Sequence, residues 1–403
     1  MTEQTHRKGP LHGIRILAIS QFGAGPFATL TLADLGAEVI KIEDPTAGGD
    51  VARYVPPATD DADSLYFQSF NRGKKSIAID LRKPEGVKIF HQLVEKSDAV
   101  FNNLRGDLPE KLGLTYETLR PFNPAIVTCS LSGFGRTGPR ASEPGYDPIM
   151  QAMAGYMSIT GEPDGPPGKT GVSIIDFAGG YAAALGLVAA LLEAKTTGVG
   201  RDVDVSLLDT AVSMLTYFAS WTQNSDWQPV RTPSSSHQTL VPAQNFKTSD
   251  GWISVFCAKE HFWRKFSELI DMPKLVSDER FATFASRYDN RSVLIPMLSE
   301  RLLQKTNEEW LKLFRGIVPS GPVNSINEVF EDEQIKARGL IVDVEHPSYG
   351  TIKQVASPII TEGSNQANSP GPALGEHTDR LLANLLSLDE NEIKRLRDQG
   401  AVG

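Results

Sequence analysis

The chain has 403 residues, 40% hydrophobic and 22% charged, the balance of a soluble globular protein long enough for two domains. Its net charge of −9 argues against a nucleic-acid role, and its two cysteines, Cys129 and Cys257, lack disulfide-framework or metal-ligand spacing. The polar start MTEQTHRKGP predicts no targeting segment. The longest apolar stretch, Tyr181 to Leu192, falls short of the roughly 18 residues of a membrane helix, so the expectation is a cytoplasmic protein with reduced thiols and no membrane partner.

In chain order, IRILAI (14–19) reads as a buried strand, GAGPFATLTLADLG as a turn and helix, and AEVIKIE as a second strand. KSIAIDL is a third, followed by a helix that opens on Pro84. DAVFNNL and AIVTCSLSG continue the alternation, which predicts an α/β fold with a parallel sheet covered on both faces. A long helix rich in Ala, Gly and Leu runs from Asp176 to Lys195. A polar linker, NSDWQPVRTPSSSHQTL, leads to the strand WISVFCA and several amphipathic helices, a smaller α+β unit. These boundaries predict a large domain over 1–220, a linker and small domain over 221–330, and a return to the large domain over 331–403.

Between Asn71 and Lys111 stand nine basic residues, Arg82, Arg105 and Lys111 among them, against six acidic ones. This stretch reads either as helix surface or as a site for a phosphorylated ligand. Gly23-Ala24-Gly25-Pro26-Phe27-Ala28 follows a strand and opens a helix, with Glu43 about twenty residues on, the pattern of a dinucleotide site. Asp176, in GVSIIDFAGG, reads as a helix N-cap or as a carboxylate kept reactive at a helix start, with the small residues Ala178, Gly179 and Gly180 leaving room for a bulky group. Tyr146-Asp147, after Pro144-Gly145, reads as a turn whose aspartate caps the next helix. No pair among the seven histidines has metal-ligand spacing on a helix, so no metal is expected. No G-x-S-x-G elbow or Walker loop occurs.

Taken together, LHGIRILAISQFGAGPFATLTLADLGAEVIKIEDP, SLYFQSFNRGKKSIAIDL, GYDPIMQAMAGYMSITGEPDGPP, GVSIIDFAGG and PALGEHTDRLL resemble the family III CoA-transferases, the group of formyl-CoA, carnitine and bile-acid CoA-transferases. The resemblance implies an intertwined homodimer with a Rossmann-like large domain built from both ends of the chain, acyl-CoA as substrate and no tightly bound cofactor. It implies Asp176 as the nucleophile, Asp147 beside it, and CoA contacts at Phe22, Gly23, Arg82, Asn103, Leu104, Lys111, Tyr146 and Leu207. Gly23 replaces a larger side chain of formyl-CoA transferase, Leu104 an aromatic, Asp44 and Pro144 basic residues, and Pro233–His237 its Gly-rich loop. The hydrogen-bonding residues of that segment, with His237 in support, lead to the expectation of a short dicarboxylate acceptor. Two alternatives stay open: a 2-methylacyl-CoA racemase of the same fold, in which a histidine stands where this chain has Tyr146, and a dinucleotide-dependent oxidoreductase.

Overall fold

The computed structural model describes residues 8–59, 63–363 and 369–403. Six short runs form the strands β1 (Arg15–Ile19), β2 (Glu38–Glu43), β3 (Lys75–Ala78), β4 (Ala99–Asn102), β5 (Val127–Ser132) and β6 (Asp202–Ser206), the first five largely buried and the sixth half-exposed. They pair in parallel in the order β3-β2-β1-β4-β5-β6. The order reverses between β1 and β4. Crevices for ligands open there, at the carboxyl ends of the strands.

Two compact units divide the chain. One comprises residues up to 154, 171–216 and 334–403, and the other comprises 155–170 and 217–333. The segment 155–170, placed with the large domain by the order of elements in the sequence, thus packs in the second unit. Among the described residues the strands of the sheet all lie between residues 15 and 206. Among the described residues the returning C-terminus adds no strand to it, only an isolated bridge from Val402 to Ile79. It contributes the helices Thr378–Leu386 and Glu390–Asp398, whose Leu381, Leu382, Ile393 and Leu396 complete a core with Ile77, Ile79 and Phe90. It also adds the hairpin of β10 (Ile341–His346) and β11 (Gly350–Val355). In the second unit, β7 (Ala243–Lys247), β8 (Trp252–Phe256) and β9 (Ser320–Pro322) form an antiparallel sheet. Their core is filled by Trp263, Phe266, Trp310 and Phe314.

The long helix spans Ile174–Thr197, 24 residues, longer than the apolar run suggests. By length and composition it could cross a membrane, yet Ile175, Ala183, Leu187 and Leu191 are buried inside the first unit. Its glycines explain how it packs. A Cβ on Gly179 would lie 2.7 Å from Leu207, and one on Gly180 would lie 2.9 Å from Phe27 and 3.1 Å from the Ala24 carbonyl. The small residues therefore admit neighbouring helices rather than a ligand.

Candidate active site

A cleft of about 370 Å³ opens at the carboxyl ends of β1, β4, β5 and β6, all within the first unit. Phe22, Gly23, Asn103, Leu104, Tyr146, Leu207 and Asp176 line it, and so does Arg105. The sequence spreads these residues from Phe22 to Leu207, yet each stands just beyond a strand or at a helix start. Asn103 follows β4 and ties the β1 turn shut: its Oδ1 accepts from Gln21 N at 2.9 Å and its Nδ2 donates to the Gln21 carbonyl at 2.8 Å. A Cβ on Gly25 would fall 2.6 Å from Asn103 Cγ, so the second glycine of the turn exists for this side chain.

Phe22 takes a left-handed backbone, φ 66°, costly for a bulky residue. Asp50 holds it there, accepting from Phe22 N at 2.9 Å. Asp50 is itself buried and paired with Lys41 at 2.7 Å, and Lys41 also donates to the Ser20 carbonyl. The strained turn is thus clamped on both sides of Gln21 by one buried ion pair. The Phe22 ring packs between Tyr66 and Tyr146, with centroids at 5.2 and 6.1 Å.

Asp176 is not the N-cap of its helix. Ser173 occupies that position, and Asp176 lies in the first turn. The capping acceptor comes from elsewhere. Asp147, the first residue of the helix Asp147–Met153, is buried, and its Oδ2 accepts from Ile175 N at 2.7 Å and Asp176 N at 3.3 Å. Its Oδ1 accepts from Gln151 Nε2 at 2.6 Å. Asp147 therefore serves the helix start that carries Asp176. With its backbone needs met by another residue, the Asp176 carboxyl is left to face the cleft. Burial, and then the Asp147 charge beside it, push its pKa up to about 7. A carboxylate poorly solvated in this way is a stronger nucleophile than one in water.

The basic stretch behaves differently from its reading as an anion site. Arg72 pairs with Asp34, Lys74 is fully engaged with Pro26, Thr29 and Asn71, and Lys75 pairs with Glu38. Arg82 and Lys111 do not line the cleft. Arg82 binds Asp80 at 2.8 Å and Asp44 at 3.2 Å. The acid at position 44, a departure from formyl-CoA transferase, thus takes up part of this cation. Lys111 binds Asp107 at 2.6 Å, and Arg105 and Lys111 together hold that carboxyl well below the usual range. Arg105, paired with Asp107 through Nε and Nη2, is the cation at the cleft and keeps further N–H groups for a phosphate. His237 belongs to the second unit, where its Nδ1 accepts from Thr239 N and Leu240 N at 3.1 Å, just before β7. Glu43, the expected ribose acid, is buried and bound twice by Arg53 and by Ser76 and Asp50 N. It has no free edge for a ribose, so the dinucleotide reading fails on both of its signature positions.

Residues 11–378 match the model of CoA-transferase family III. The succinate–glutarate CoA-transferase of Agrobacterium fabrum is 38% identical over 96% of this chain and 99% of its own length. Human succinyl-CoA:glutarate CoA-transferase is 37% identical over 98% of this chain and 90% of its own. The crystal structure of a CAIB/BAIF family protein from Brucella suis superposes with a TM-score of 0.81, at 36% identity, over 94% of this chain and all of that one. The chain belongs to CoA-transferase family III. It is therefore an enzyme of acyl-CoA chemistry, and the cleft at the switch point is its candidate site for the thioester.

A family III CoA-transferase that attacks with a carboxylate must carry it ionised. Since the Asp176 pKa stands near 7, kcat/KM is expected to rise about tenfold per pH unit on the acid side and to level off above pH 7 to 8. Initial rates between pH 5 and 9 check this. A flat profile down to pH 5 would mean that Asp176 ionises like an ordinary surface aspartate or takes no part.

Proposed function

We propose that the enzyme transfers CoA from a succinyl-CoA-type thioester to a short dicarboxylate of four to six carbons, through covalent intermediates on Asp176. The observation that carries the reading is the Asp176 carboxyl, at the wall of the cleft and raised to about 7. The relatives' substrates point the acceptor toward succinate and glutarate. The carboxylate attacks the thioester carbonyl, the C–S bond breaks, and an acyl-aspartyl anhydride and CoA thiolate result. The thiolate then attacks the Asp176 carbonyl carbon, releases the donor acid and leaves aspartyl-CoA. The acceptor carboxylate reverses both steps, so the thioester is conserved. Phe22, Leu104 and Leu207 supply an apolar wall for the pantetheine arm, and Arg105 a cation for its phosphates.

The active assembly we propose is a homodimer. On the helix Ile174–Thr197, Tyr181, Leu185 and Leu192 lie along one side and are 39%, 73% and 72% exposed, an apolar stripe suited to a second copy. His237 is proposed to serve acceptor selectivity rather than chemistry.

With succinyl-CoA as donor, glutarate is expected to exceed acetate and propionate in kcat/KM by about tenfold or more, as expected when a site that hydrogen-bonds a polar group meets an analogue lacking it. Mass-spectrometric product analysis across mono- and dicarboxylates reads this out. Equal use of monocarboxylates would refute the dicarboxylate assignment. Rapid solvent-deuterium exchange at the α-carbon of a 2-methylacyl-CoA, without CoA transfer, would be the racemase result instead.

A further inference from the structure

Tyr66 was not among the residues that the sequence singled out for the site, yet its hydroxyl shares a small volume with the proposed nucleophile. A Cβ built on Gly23 would lie 3.3 Å from Asp176 Oδ2 and 3.3 Å from the Tyr66 hydroxyl oxygen. Because residue 23 is glycine, that methyl-sized space stays open between the two polar atoms. An acyl carbon bonded to Asp176 Oδ2 would carry its carbonyl oxygen about 2.3 Å from Oδ2, a distance set by ordinary covalent geometry. That oxygen can turn into the space beside Gly23, which the Tyr66 hydroxyl also borders.

The tyrosine is well fixed. Ser64 caps its helix, Leu65–Asn71, and accepts from Tyr66 N at 3.0 Å. The ring packs against Phe22 and Phe70, both with centroids at 5.2 Å. Its hydroxyl makes no hydrogen bond among the described residues. Burial first, and then the charges of Asp176 and Asp50, push its pKa up to about 12. The group therefore stays a protonated phenol near neutral pH, a hydrogen-bond donor and not a base.

We propose that the Tyr66 hydroxyl is a catalytic hydrogen-bond donor to the oxyanion formed when Asp176 adds to the thioester carbonyl, and that Gly23 is glycine to leave room for that oxygen. The inference rests on Asp176 being the nucleophile. In the step, a bond forms between Asp176 Oδ2 and the acyl carbon, and the carbonyl electron pair moves to the oxygen that Tyr66 holds. That pair returns as the C–S bond breaks and CoA leaves as thiolate. No proton changes owner, so Tyr66 stays a phenol and needs no partner to recharge it.

The test compares wild type, Tyr66→Phe and Gly23→Ala in single turnovers with succinyl-CoA and no acceptor, following the aspartyl adduct by mass spectrometry. Loss of one such donor costs about 100-fold in kcat. Tyr66→Phe is therefore expected to form the adduct about 100-fold more slowly, with KM for succinyl-CoA changed less than threefold. The acid limb of the pH–rate profile should stay near pH 7, because burial and Asp147, not Tyr66, set the Asp176 pKa. Gly23→Ala should slow adduct formation similarly while the phenol is still present. Adduct formation by Tyr66→Phe within threefold of wild type overturns the proposal. A shift of its acid limb by a pH unit also overturns it, since it would make Tyr66 a ground-state partner of Asp176. Failure of wild type to form any adduct is a different result, which removes the nucleophile assignment and this inference with it.

Discussion

Replacing Asp176 by Asn is expected to leave a folded protein that binds acyl-CoA but turns over about four powers of ten more slowly, because the whole covalent path is lost. A helix-capping role predicts the opposite, since Asn caps nearly as well as Asp, and here Asp147 already serves the Ile175 and Asp176 N–H groups. Stability supplies an independent readout. The unfolded Asp176 ionises near 3.8, whereas the folded one holds its proton up to about 7. Between those values the native state binds more protons than the unfolded state, so wild-type stability falls as pH rises through that window. Asn carries no such penalty. The variant should melt at or above the wild-type temperature at pH 8, with the advantage shrinking toward pH 4. Thermal melts at the two pH values check the sign.

The second large effect concerns Asp147. Asp147→Ala removes the acceptor for one buried and one half-buried backbone N–H group and for Gln151, which should cost about 2–4 kcal/mol of stability. It should also slow turnover by one to two powers of ten, because the helix start that aims Asp176 loses its tether. Asp147→Asn separates the charge from the hydrogen bonds. An amide oxygen can still accept from Ile175 N, while the repulsion that helps to raise Asp176 disappears. In that variant the acid limb of kcat/KM should move below pH 7, with most of the stability retained. An unmoved limb would mean that burial alone sets the Asp176 pKa.

Much of this arrangement was legible in the sequence, and the gaps have physical causes. β1 (RILAI) and β4 (AVFN) are near-continuous apolar runs, as buried parallel strands tend to be, and β2, β3 and β5 declare themselves by their β-branched residues and their place between helices. β6, with the sequence DVDVS and an alternating exposed pattern, is an edge strand that declares itself only through its pairing with β5. β9, Ser-Gly-Pro, carries no strand propensity at all and exists because β8 lies beside it. The seven site residues gathered at the cleft are those the family resemblance implies. Arg82 and Lys111 are CoA contacts by the resemblance, and the structure pairs their charges with Asp80, Asp44 and Asp107. Tyr66 lies in the segment SLYFQSFN, but nothing in one dimension shows that its hydroxyl and the Asp176 carboxyl border the same space beside Gly23. Asp50 is similar: its bond to Phe22 N joins positions 28 residues apart, with no signal in the intervening loop. The Gly-rich turn was the most misleading feature. Its spacing fits a dinucleotide site, yet Gly25 yields to Asn103 and Glu43 is consumed by Arg53.

The measurement that bears most directly on the central claim is chemical capture of the intermediate. Enzyme incubated with succinyl-CoA and no acceptor, quenched with hydroxylamine, digested and sequenced by mass spectrometry should carry a hydroxamate on Asp176. The same treatment without succinyl-CoA, or with Asp176→Asn, should leave that peptide unmodified. A protein that transfers CoA at full rate while its Asp176 peptide stays unlabelled, or labels at another carboxylate, would contradict the account.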